Sequence, residues 1–286
     1  MEASITIQQA GFYTTIQDKG RQGVAHMGVP ESGAMDKKAL QIANALVNNP
    51  EDTAILEYTL IGPVIRFDCK RHFVITGGIT EATLDGHPIK NQKVYLAEQG
   101  QILKLSKITN GCRGYLSIAG GILSTSVLNS RSLYPPITKE AIITKGISLS
   151  IGKSTYGTAK GARIGSHNTT RYLTEKVLEV YKGPEFDLLP DIESIGIQEK
   201  AYTISKLWNR MAVQLEETLT HTIPSIQTGP VLPGTVQITP AGRIIILMRD
   251  CQTTGGYPRI FQLSEEALNI LAQKKQGDII SFLLID

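Results

Sequence analysis

TTIQDKGRQGVAHMGVPESGAMD, at residues 14–36, is the stretch from which we predict the fold. It has glycine at positions 20, 23, 28 and 33 and proline at position 30. This composition disfavours a helix or a central strand, because glycine loses much backbone entropy on ordering and proline lacks an N–H donor. Many polar side chains stand between the glycines, as is typical of binding loops. We expect a long polar loop here, and residue content alone also allows a surface loop without a function.

Short elements are predicted on both sides of this loop. Residues 4–8 alternate apolar and polar side chains, which favours a half-buried strand. Residues 34–48 predict a helix, with Ser32 or Asp36 as the N-cap and Asn49-Pro50 at the end. Brief β-type runs separated by turn residues then follow, at 54–60, 64–67, 72–76, 82–84, 87–89, 94–97, 102–105 and 114–119. This pattern predicts a barrel or sandwich rather than alternating strands and helices.

The second half of the chain repeats this alternation of strands and turns. Residues 153–170 are rich in Ser, Thr, Gly and basic residues and predict a linker. Ser264 is expected to cap a short helix. The predicted strands are 177–181, 201–205, 211–215, 236–238, 244–248, 260–263 and 279–285. We therefore predict a mainly β protein with a few short helices and two domains. Residues 1–165 include the TTIQDKGRQG loop, and residues 166–286 include a second polar loop, RDCQTTGGYPR.

Composition excludes several classes of protein. The 286 residues carry a formal net charge of +3 without a dense basic block, so a nucleic-acid surface is not predicted. Three distant cysteines, Cys69, Cys112 and Cys251, have neither metal-ligand nor disulfide-framework spacing, so we predict no metal. The N-terminus does not read as a signal peptide, and the longest aliphatic run, 244–248, is too short to span a membrane. We expect a soluble cytoplasmic protein.

The loop RDCQTTGGYPR, at residues 249–259, follows the most apolar predicted strand. Its side chains offer donors suited to carboxylate, phosphate or amide oxygens, and Gly255-Gly256 lets backbone amides approach an anion. It is not a Walker loop, since GxxxxGK[ST] is absent from the sequence. An ordinary polar turn is the alternative. Likewise, Arg131 and Arg210 could be ligands or structural ion-pair residues.

Several motifs together resemble the biotin-dependent carboxyltransferase-like family, also called allophanate hydrolase subunit 2 or KipA-like. They are residues 14–36 with LQIANALVNNPEDTAILE (40–57), RGYLSIAGGI (113–122), SRS (130–132), GPEFDLL (183–189), VLPGTVQITPAGRIIILMRDCQTTGGYPRI (231–260) and QGDIISF (276–282). The resemblance spans nearly the whole chain. It implies two tandem cyclophilin-like β-barrels. It also implies complex formation with a KipI-like protein, which is the B-type subunit of such complexes.

The resemblance leaves three functional hypotheses open. The first is the C-type subunit of an ATP-dependent 5-oxoprolinase, which converts 5-oxo-L-proline to L-glutamate and also needs a lactam-utilisation-type protein as its A-type subunit. The second is a carboxyltransferase or allophanate hydrolase-type component of urea degradation. The third is a KipA-like regulator that binds a KipI-like kinase inhibitor without catalysis. ATP would be used by the complex, biotin is suggested by the family name, and the substrate would be a small amide or lactam.

The enzyme hypotheses assign roles to the polar residues of these motifs. The candidate catalytic residues are Asp18, Arg21, Arg249 and Gln252. The candidate substrate-binding residues are Gln17, His26, Ser32, Arg131, Arg210, Thr253, Thr254 and Tyr257. Two segments depart from the family pattern. Residues 211–215 read MAVQL in place of an MGYRL-type strand, so Gln214 replaces an arginine, and LYPPIT (133–138) replaces a GGFGG-type segment. These departures predict an altered substrate or weaker activity, because glutamine cannot clamp an anion as a guanidinium does.

Overall fold

The computed structural model describes residues 3–154 and 170–285, which divide into two compact units. The first unit is Met1–Arg21 with Ser32–Thr174, and the second is Gln22–Glu31 with Glu175–Asp286. The predicted boundary after residue 165 and most of the predicted linker 153–170 lie outside the described residues. The predicted first domain contains all of residues 14–36, whereas the segment Gln22–Glu31 groups with the second unit. Across the described ranges, no helix combines the length and apolar character needed to cross a membrane.

The described residues of the first unit form a nine-stranded sheet and a helix. The elements are β1 Ser4–Gln9, β2 Tyr13–Gln17, α1 Lys37–Leu46, β3 Ile55–Thr59, β4 Val64–Phe67, β5 Arg71–Leu84, β6 His87–Ile89, β7 Tyr95–Ala97, β8 Ile102–Ile118, β9 Ser148–Ser150 and the 3-10 helix Arg171–Leu173. The strand order is β2-β3-β8-β4-β1-β9, and β5 pairs with β6, β7 and β8. All of these pairings are antiparallel.

Two long strands, β5 and β8, correct the prediction of several short ones. Each was divided at a glycine-containing stretch, yet they pair from Phe73 opposite Ile118 to Leu84 opposite Leu103. The register shifts near Gly77, whose φ of 73° fits a bulge that glycine tolerates without strain. Strand β2 is a second correction, because the first residues of the predicted loop, Thr14 to Gln17, are buried and pair with β3.

Helix α1 confirms the predicted helix and fixes its cap. The Asp36 carboxylate accepts from the Ala39 backbone N–H at 2.9 Å, so Asp36 rather than Ser32 caps the helix. Leu40 and Ala43 lie in a buried cluster with Val74 and Tyr115. The helix therefore packs on one face of the sheet. Buried apolar side chains of the strands form a second, larger cluster in the same unit.

The second unit is a closed barrel of seven strands with added short elements. Its elements are the 3-10 helix Ala25–Met27, β10 Val177–Lys182, the 3-10 helix Phe186–Leu188, α2 Asp191–Glu199, β11 Ala201–Trp208, β12 Ala212–Thr218, β13 Gly229–Pro230, β14 Thr235–Ile238, β15 Arg243–Leu247, β16 Thr254–Gly255, β17 Arg259–Leu263, α3 Glu265–Ala272 and β18 Ile279–Leu284. The barrel order is β10-β17-β14-β15-β12-β11-β18, and β13 pairs with β16.

The barrel interior is apolar and partly aromatic. Phe261 lies between the rings of Phe186 and Phe282, at centroid distances of 5.2 and 5.4 Å. Ser264 caps α3 as predicted, accepting from the Ala267 N–H at 3.1 Å. The prediction of a mainly β protein with few short helices is thus confirmed. Strands β9, β13 and β16 and helix α2 were not predicted, since three of them are only two or three residues long.

Candidate functional site

In the first unit, the Asp18 carboxylate organises the SRS motif. Its Oδ1 accepts from the hydroxyls of Ser130 and Ser132 at 2.7 and 2.6 Å and from the Gly20 N–H at 2.9 Å. Its Oδ2 accepts from the Arg131 N–H at 2.5 Å. The Asp18 N–H donates in turn to Ser132 Oγ. Asp18 is buried and its oxygens hold two loops together, which is a positioning role rather than that of an open acid or base.

Two further candidates next to Asp18 are also built into the fold. Arg21 is buried and its Nη2 donates to the Ser132 carbonyl at 2.6 Å. Gln17 is buried and its Nε2 donates to Thr15 Oγ1 and to the Leu133 carbonyl. Both side chains therefore fasten the region of the SRS motif to β2 and the loop that follows it.

Asp36 belongs to a buried polar cluster that includes residues the sequence did not single out. The Met35 N–H donates to the Glu57 carboxylate at 2.8 Å, and the Asp36 N–H donates to the Tyr115 hydroxyl at 2.9 Å. Burial, followed by the charges of Glu57 and Asp36, holds the pKa of Tyr115 well above its usual value, so the phenol stays protonated. Ser32 is buried with a φ of 58°, and its hydroxyl has no hydrogen-bond partner among the described residues.

A cluster of this kind could be anticipated only in part. Glu57 ends the run LQIANALVNNPEDTAILE, and Tyr115 lies in RGYLSIAGGI, both of which carry the family resemblance. In an isolated strand sequence, however, neither residue is distinguishable from an outward-facing polar side chain.

In the second unit, the segment Gln22–Glu31 and the RDCQTTGGYPR loop come together. Gln22 Nε2 donates to Glu31 Oε1 at 2.9 Å within the first segment. Burial raises the pKa of the Cys251 thiol to about 12, and the charges of Asp250 and Glu31 add to that rise. Glu31 is therefore within electrostatic reach of the loop. The thiol is not a nucleophile at neutral pH, because the thiolate is the reactive form. His26 is exposed on the 3-10 helix of the first segment.

Arg210, Arg249 and Arg259 of this unit are ion-paired. For Arg210 this is the structural alternative stated from sequence, and for Arg249 it corrects the description as an open donor. Arg210 donates to both carboxylate oxygens of Asp250, at 2.7 and 3.0 Å. Arg249 is 2% exposed and donates from both terminal nitrogens to Glu265 in the first turn of α3. Arg259 pairs with Glu185 at 2.8 Å. Hydrogen bonds from Arg259 hold the pKa of Glu185 below its usual value, with charge attraction adding to them.

The neutral polar residues of the RDCQTTGGYPR loop have side-chain donors and acceptors without a protein partner among the described residues. Gln252 and Thr253 are half-buried, and Thr254 and Tyr257 are exposed. In the described part of the chain, none of these four side chains makes a hydrogen bond to protein. The backbone beneath them is fixed, because Thr254 and Gly255 form β16 and the Thr253 carbonyl accepts from Val231. This part of the loop could bind an amide or carboxylate group through amide and hydroxyl donors.

The two departures from the family pattern lie in separate units. Gln214 lines a cavity of about 470 Å³ on the barrel together with Lys206 and Arg243. Leu133 is buried, and its N–H donates to the Ile16 carbonyl at 2.9 Å. Thr138 closes the 133–138 segment by donating to the Glu140 carbonyl. The altered 133–138 segment is therefore an ordered support of β2.

Among the residues that the structure describes, no three His, Cys, Asp or Glu side chains are grouped so as to hold a metal ion. The acidic side chains of the site are engaged by hydroxyls, amides and guanidinium groups instead. What the arrangement can offer chemically is hydrogen bonding and fixed charge.

Comparisons with known proteins cover almost the whole chain. A family model described as the carboxyltransferase domain, subdomain A and B, matches residues 27–284. The C-type subunit of 5-oxoprolinase from Escherichia coli K12 is 33% identical over 98% of this chain and 90% of its own length. The urea amidolyase of Saccharomyces cerevisiae is 42% identical, but over 46% of this chain and 7% of the yeast protein.

A solved structure shows the same fold. The urea carboxylase of Kluyveromyces lactis superposes with a TM-score of 0.88 over all of this chain, at 24% identity. This chain spans 28% of that larger protein. At such identity the likeness concerns the fold, and it agrees with the predicted tandem β architecture.

Proposed function

The chain belongs to the carboxyltransferase domain family with subdomains A and B, and from this membership we propose that it is the C-type subunit of an ATP-dependent 5-oxoprolinase. The complex would convert 5-oxo-L-proline to L-glutamate with ATP hydrolysis, by opening the lactam C–N bond and adding water. The proposal places it in the cytoplasm, where ATP is available.

One observation favours this proposal over its alternatives. The match to the Escherichia coli relative extends over 98% of this chain and 90% of that protein, so the two are nearly co-extensive. The match to the yeast urea amidolyase covers a small piece of a much longer protein. A chain that corresponds to a nearly whole relative is expected to do what that relative does.

The contacts of the second unit suggest how this chain would contribute. A lactam ring with a carboxylate presents a carbonyl oxygen, an N–H and two carboxylate oxygens, which match the amide and hydroxyl groups of Gln252, Thr253 and Tyr257. Arg249 and Arg210 would hold this loop in place through Glu265 and Asp250. In this proposal, the catalytic role first given to Arg249 becomes a positioning role, and Gln252 contacts the substrate.

The partners and cofactors follow from the same proposal. A KipI-like protein, as the B-type subunit, and a lactam-utilisation-type protein, as the A-type subunit, would complete the enzyme. ATP would be consumed by the assembled complex. Biotin enters only through the family name, and the proposal does not require it.

The proposal is tested by reconstituting the complex. We expect that the chain, co-purified with B-type and A-type subunits encoded by the same organism, supports ATP-dependent release of L-glutamate from 5-oxo-L-proline. Gln252→Ala should reduce turnover at least tenfold without loss of assembly. Gln276→Ala, an exposed glutamine in a turn of the same unit, is the matched control and should leave turnover unchanged. An assembled but inactive complex would contradict the proposal.

Urea-type chemistry is the second candidate, favoured by the 42% identity to urea amidolyase over nearly half of the chain. The same reconstituted complex, supplied with urea or allophanate in place of 5-oxoproline, separates the two. Nitrogen release from urea with no reaction of 5-oxoproline would select the second candidate. Tight assembly with neither activity, and a cellular phenotype that survives Gln252→Ala, would select the regulatory alternative.

A further inference from the structure

A cavity of about 400 Å³ lies in the first unit, whereas the RDCQTTGGYPR loop belongs to the second unit. It is lined by the turn after α1, the Gly120-Gly121 turn after β8, the loop that leads into the SRS motif, and Lys153. Its volume is in the range of small-ligand pockets, roughly 300–1,000 Å³. None of the comparisons gives this cavity a ligand.

The walls of the cavity are joined by hydrogen bonds and close contacts between residues far apart in the chain. Asn49 Nδ2 donates to the Ile118 carbonyl at 2.9 Å, and the Gly120 N–H donates to Asn49 Oδ1 at 2.8 Å. Gly120 has a φ of 98°, and a Cβ on it would collide with the Gly152 carbonyl oxygen. The turn at Asn49, the Gly120-Gly121 turn and Gly152 are therefore in direct contact and form a continuous wall of the cavity.

Asp18 determines which side chain of the SRS motif lines the cavity. The hydroxyls of Ser130 and Ser132 both donate to Asp18, as does the Arg131 N–H. Of the three side chains of the motif, that of Arg131 is not bonded to Asp18, and it lines the cavity. It is half-buried, and its guanidinium makes neither a hydrogen bond nor an ion pair with the described residues. A guanidinium fixed at its backbone and open at its donors suits bidentate binding of a carboxylate.

Two further charges on the cavity wall are also unpaired. The Lys153 ammonium and the Asp52 carboxylate have no ion-pair or hydrogen-bond partner in residues 3–154 and 170–285. Both oxygens of Asp18, in contrast, are occupied by the donors described above. The open groups are thus two cations and one carboxylate. Their complement is a small molecule with two carboxylates and one ammonium.

From this arrangement we propose that the first unit binds a dicarboxylic α-amino acid in this cavity. Arg131 would hold one carboxylate, Lys153 the other, and Asp52 the α-ammonium. The ligand class includes L-glutamate, the product of the proposed reaction, so this inference deepens the proposed function and rests on it for the choice of L-glutamate as first probe. Ligand binding is measured on the chain alone and turnover on the assembled complex, so a failure of one is distinguishable from a failure of the other.

Titration calorimetry on the isolated full chain tests the proposal with three probes. L-glutamate carries all three groups, glutarate lacks the ammonium, and 5-oxo-L-proline has a single carboxylate. We expect L-glutamate to bind more tightly than either of the others. Arg131→Ala should weaken L-glutamate binding at least tenfold, and Arg131→Lys should weaken it less, because charge is kept while bidentate geometry is lost. Arg243→Ala removes an exposed arginine from the second unit and should have no effect.

Asp52→Asn gives the sharper test of orientation. It should weaken L-glutamate binding several-fold and leave glutarate binding unchanged or improved, since glutarate has no ammonium to pair with the carboxylate. Circular dichroism checks that each variant is folded, and Asp52 is exposed, so its substitution disturbs no packing. Absence of L-glutamate binding, equal binding to Arg131→Ala, or equal loss of both probes in Asp52→Asn would overturn the proposal.

Discussion

The cluster around Asp18 in the first unit and the cluster around Arg210 and Arg249 in the second unit have opposite charge arrangements. In the first, a buried carboxylate accepts from hydroxyls and backbone amides. In the second, buried guanidinium groups donate to the carboxylates of Asp250 and Glu265. The sequence presented both stretches alike, as glycine-rich polar loops with charged candidates. The structure shows that most of these charges stabilise the loops. The side chains left without a protein partner in the described part of the chain are neutral ones in the second unit and, in the first, Arg131 of the SRS motif that Asp18 holds.

This comparison predicts different consequences of removing the central charge. Removing Arg210 leaves the buried charge of Asp250 without compensation. Removing the charge of Asp18 leaves only neutral hydroxyl and backbone N–H groups without their acceptor. The second cluster should therefore be the more sensitive one.

The largest effect is expected for Arg210→Ala. Asp250 would be left buried without its two hydrogen bonds, and unfolding free energy should fall by about 3–5 kcal/mol. Trp208 lies in the same unit, so its fluorescence in a urea titration reports the change. Replacing both partners, as Arg210→Met with Asp250→Leu, should recover much of the loss. A single-variant loss below about 1 kcal/mol would mean that the pair is effectively solvated.

Asp18→Asn should have the next largest effect. Asparagine keeps the size and one acceptor, so we expect a loss of about 2–4 kcal/mol from the weakened hydrogen bonds. Hydrogen exchange followed by mass spectrometry should show faster exchange in peptides covering residues 130–133, with little change in β15. Unchanged protection of those peptides would show that the SRS motif holds its conformation without Asp18.

Glu265→Gln should have a smaller effect than either. The Glu265 side chain is 56% exposed, so its charge is screened although Arg249 itself is buried. We expect a loss of about 0.5–1 kcal/mol in urea unfolding, because exposed carboxylates contribute little and glutamine still accepts a hydrogen bond. Glu216→Gln, at an exposed glutamate in β12 of the same unit, is the matched control. A loss as large as that of Arg210→Ala would show that Glu265 is desolvated in solution.

The smallest effect is the pH dependence that Glu185 contributes. Its pKa lies below the usual 4.5 because Arg259 donates hydrogen bonds to the ionised carboxyl. The stabilisation is therefore complete above that usual value and is lost as pH falls through the lowered one. Glu185→Gln should flatten the decline of stability as pH falls below about 5, by less than about 1 kcal/mol. Thermal unfolding of both proteins at each pH measures this. Parallel curves would remove Glu185 as a source of acid sensitivity.

Local sequence predicted elements whose determinants are adjacent in the chain. Ser264 is predicted as a helix cap, and Asp36 as one of two candidate caps beside Ser32, because a cap and its N–H partner lie three residues apart. The strands from 177 to 182 and from 279 to 284 follow their apolar pattern in the same way. The continuity of β5 and β8 was missed, because bulges let paired strands continue through glycine, and only the partner strand reveals that pairing.

The sequence by itself determined the family, the mainly β architecture, the Ser264 cap and the set of polar residues near the two loops. Which of those residues are open to a ligand was decided by the tertiary structure. Arg249 donates to Glu265, and Arg210 donates to Asp250. Asp18 accepts from the hydroxyl of Ser130, which lies 112 residues further along the chain. A charged side chain has the same sequence signature whether it binds a ligand or a neighbour. The difference is the partner that folding brings within hydrogen-bond distance.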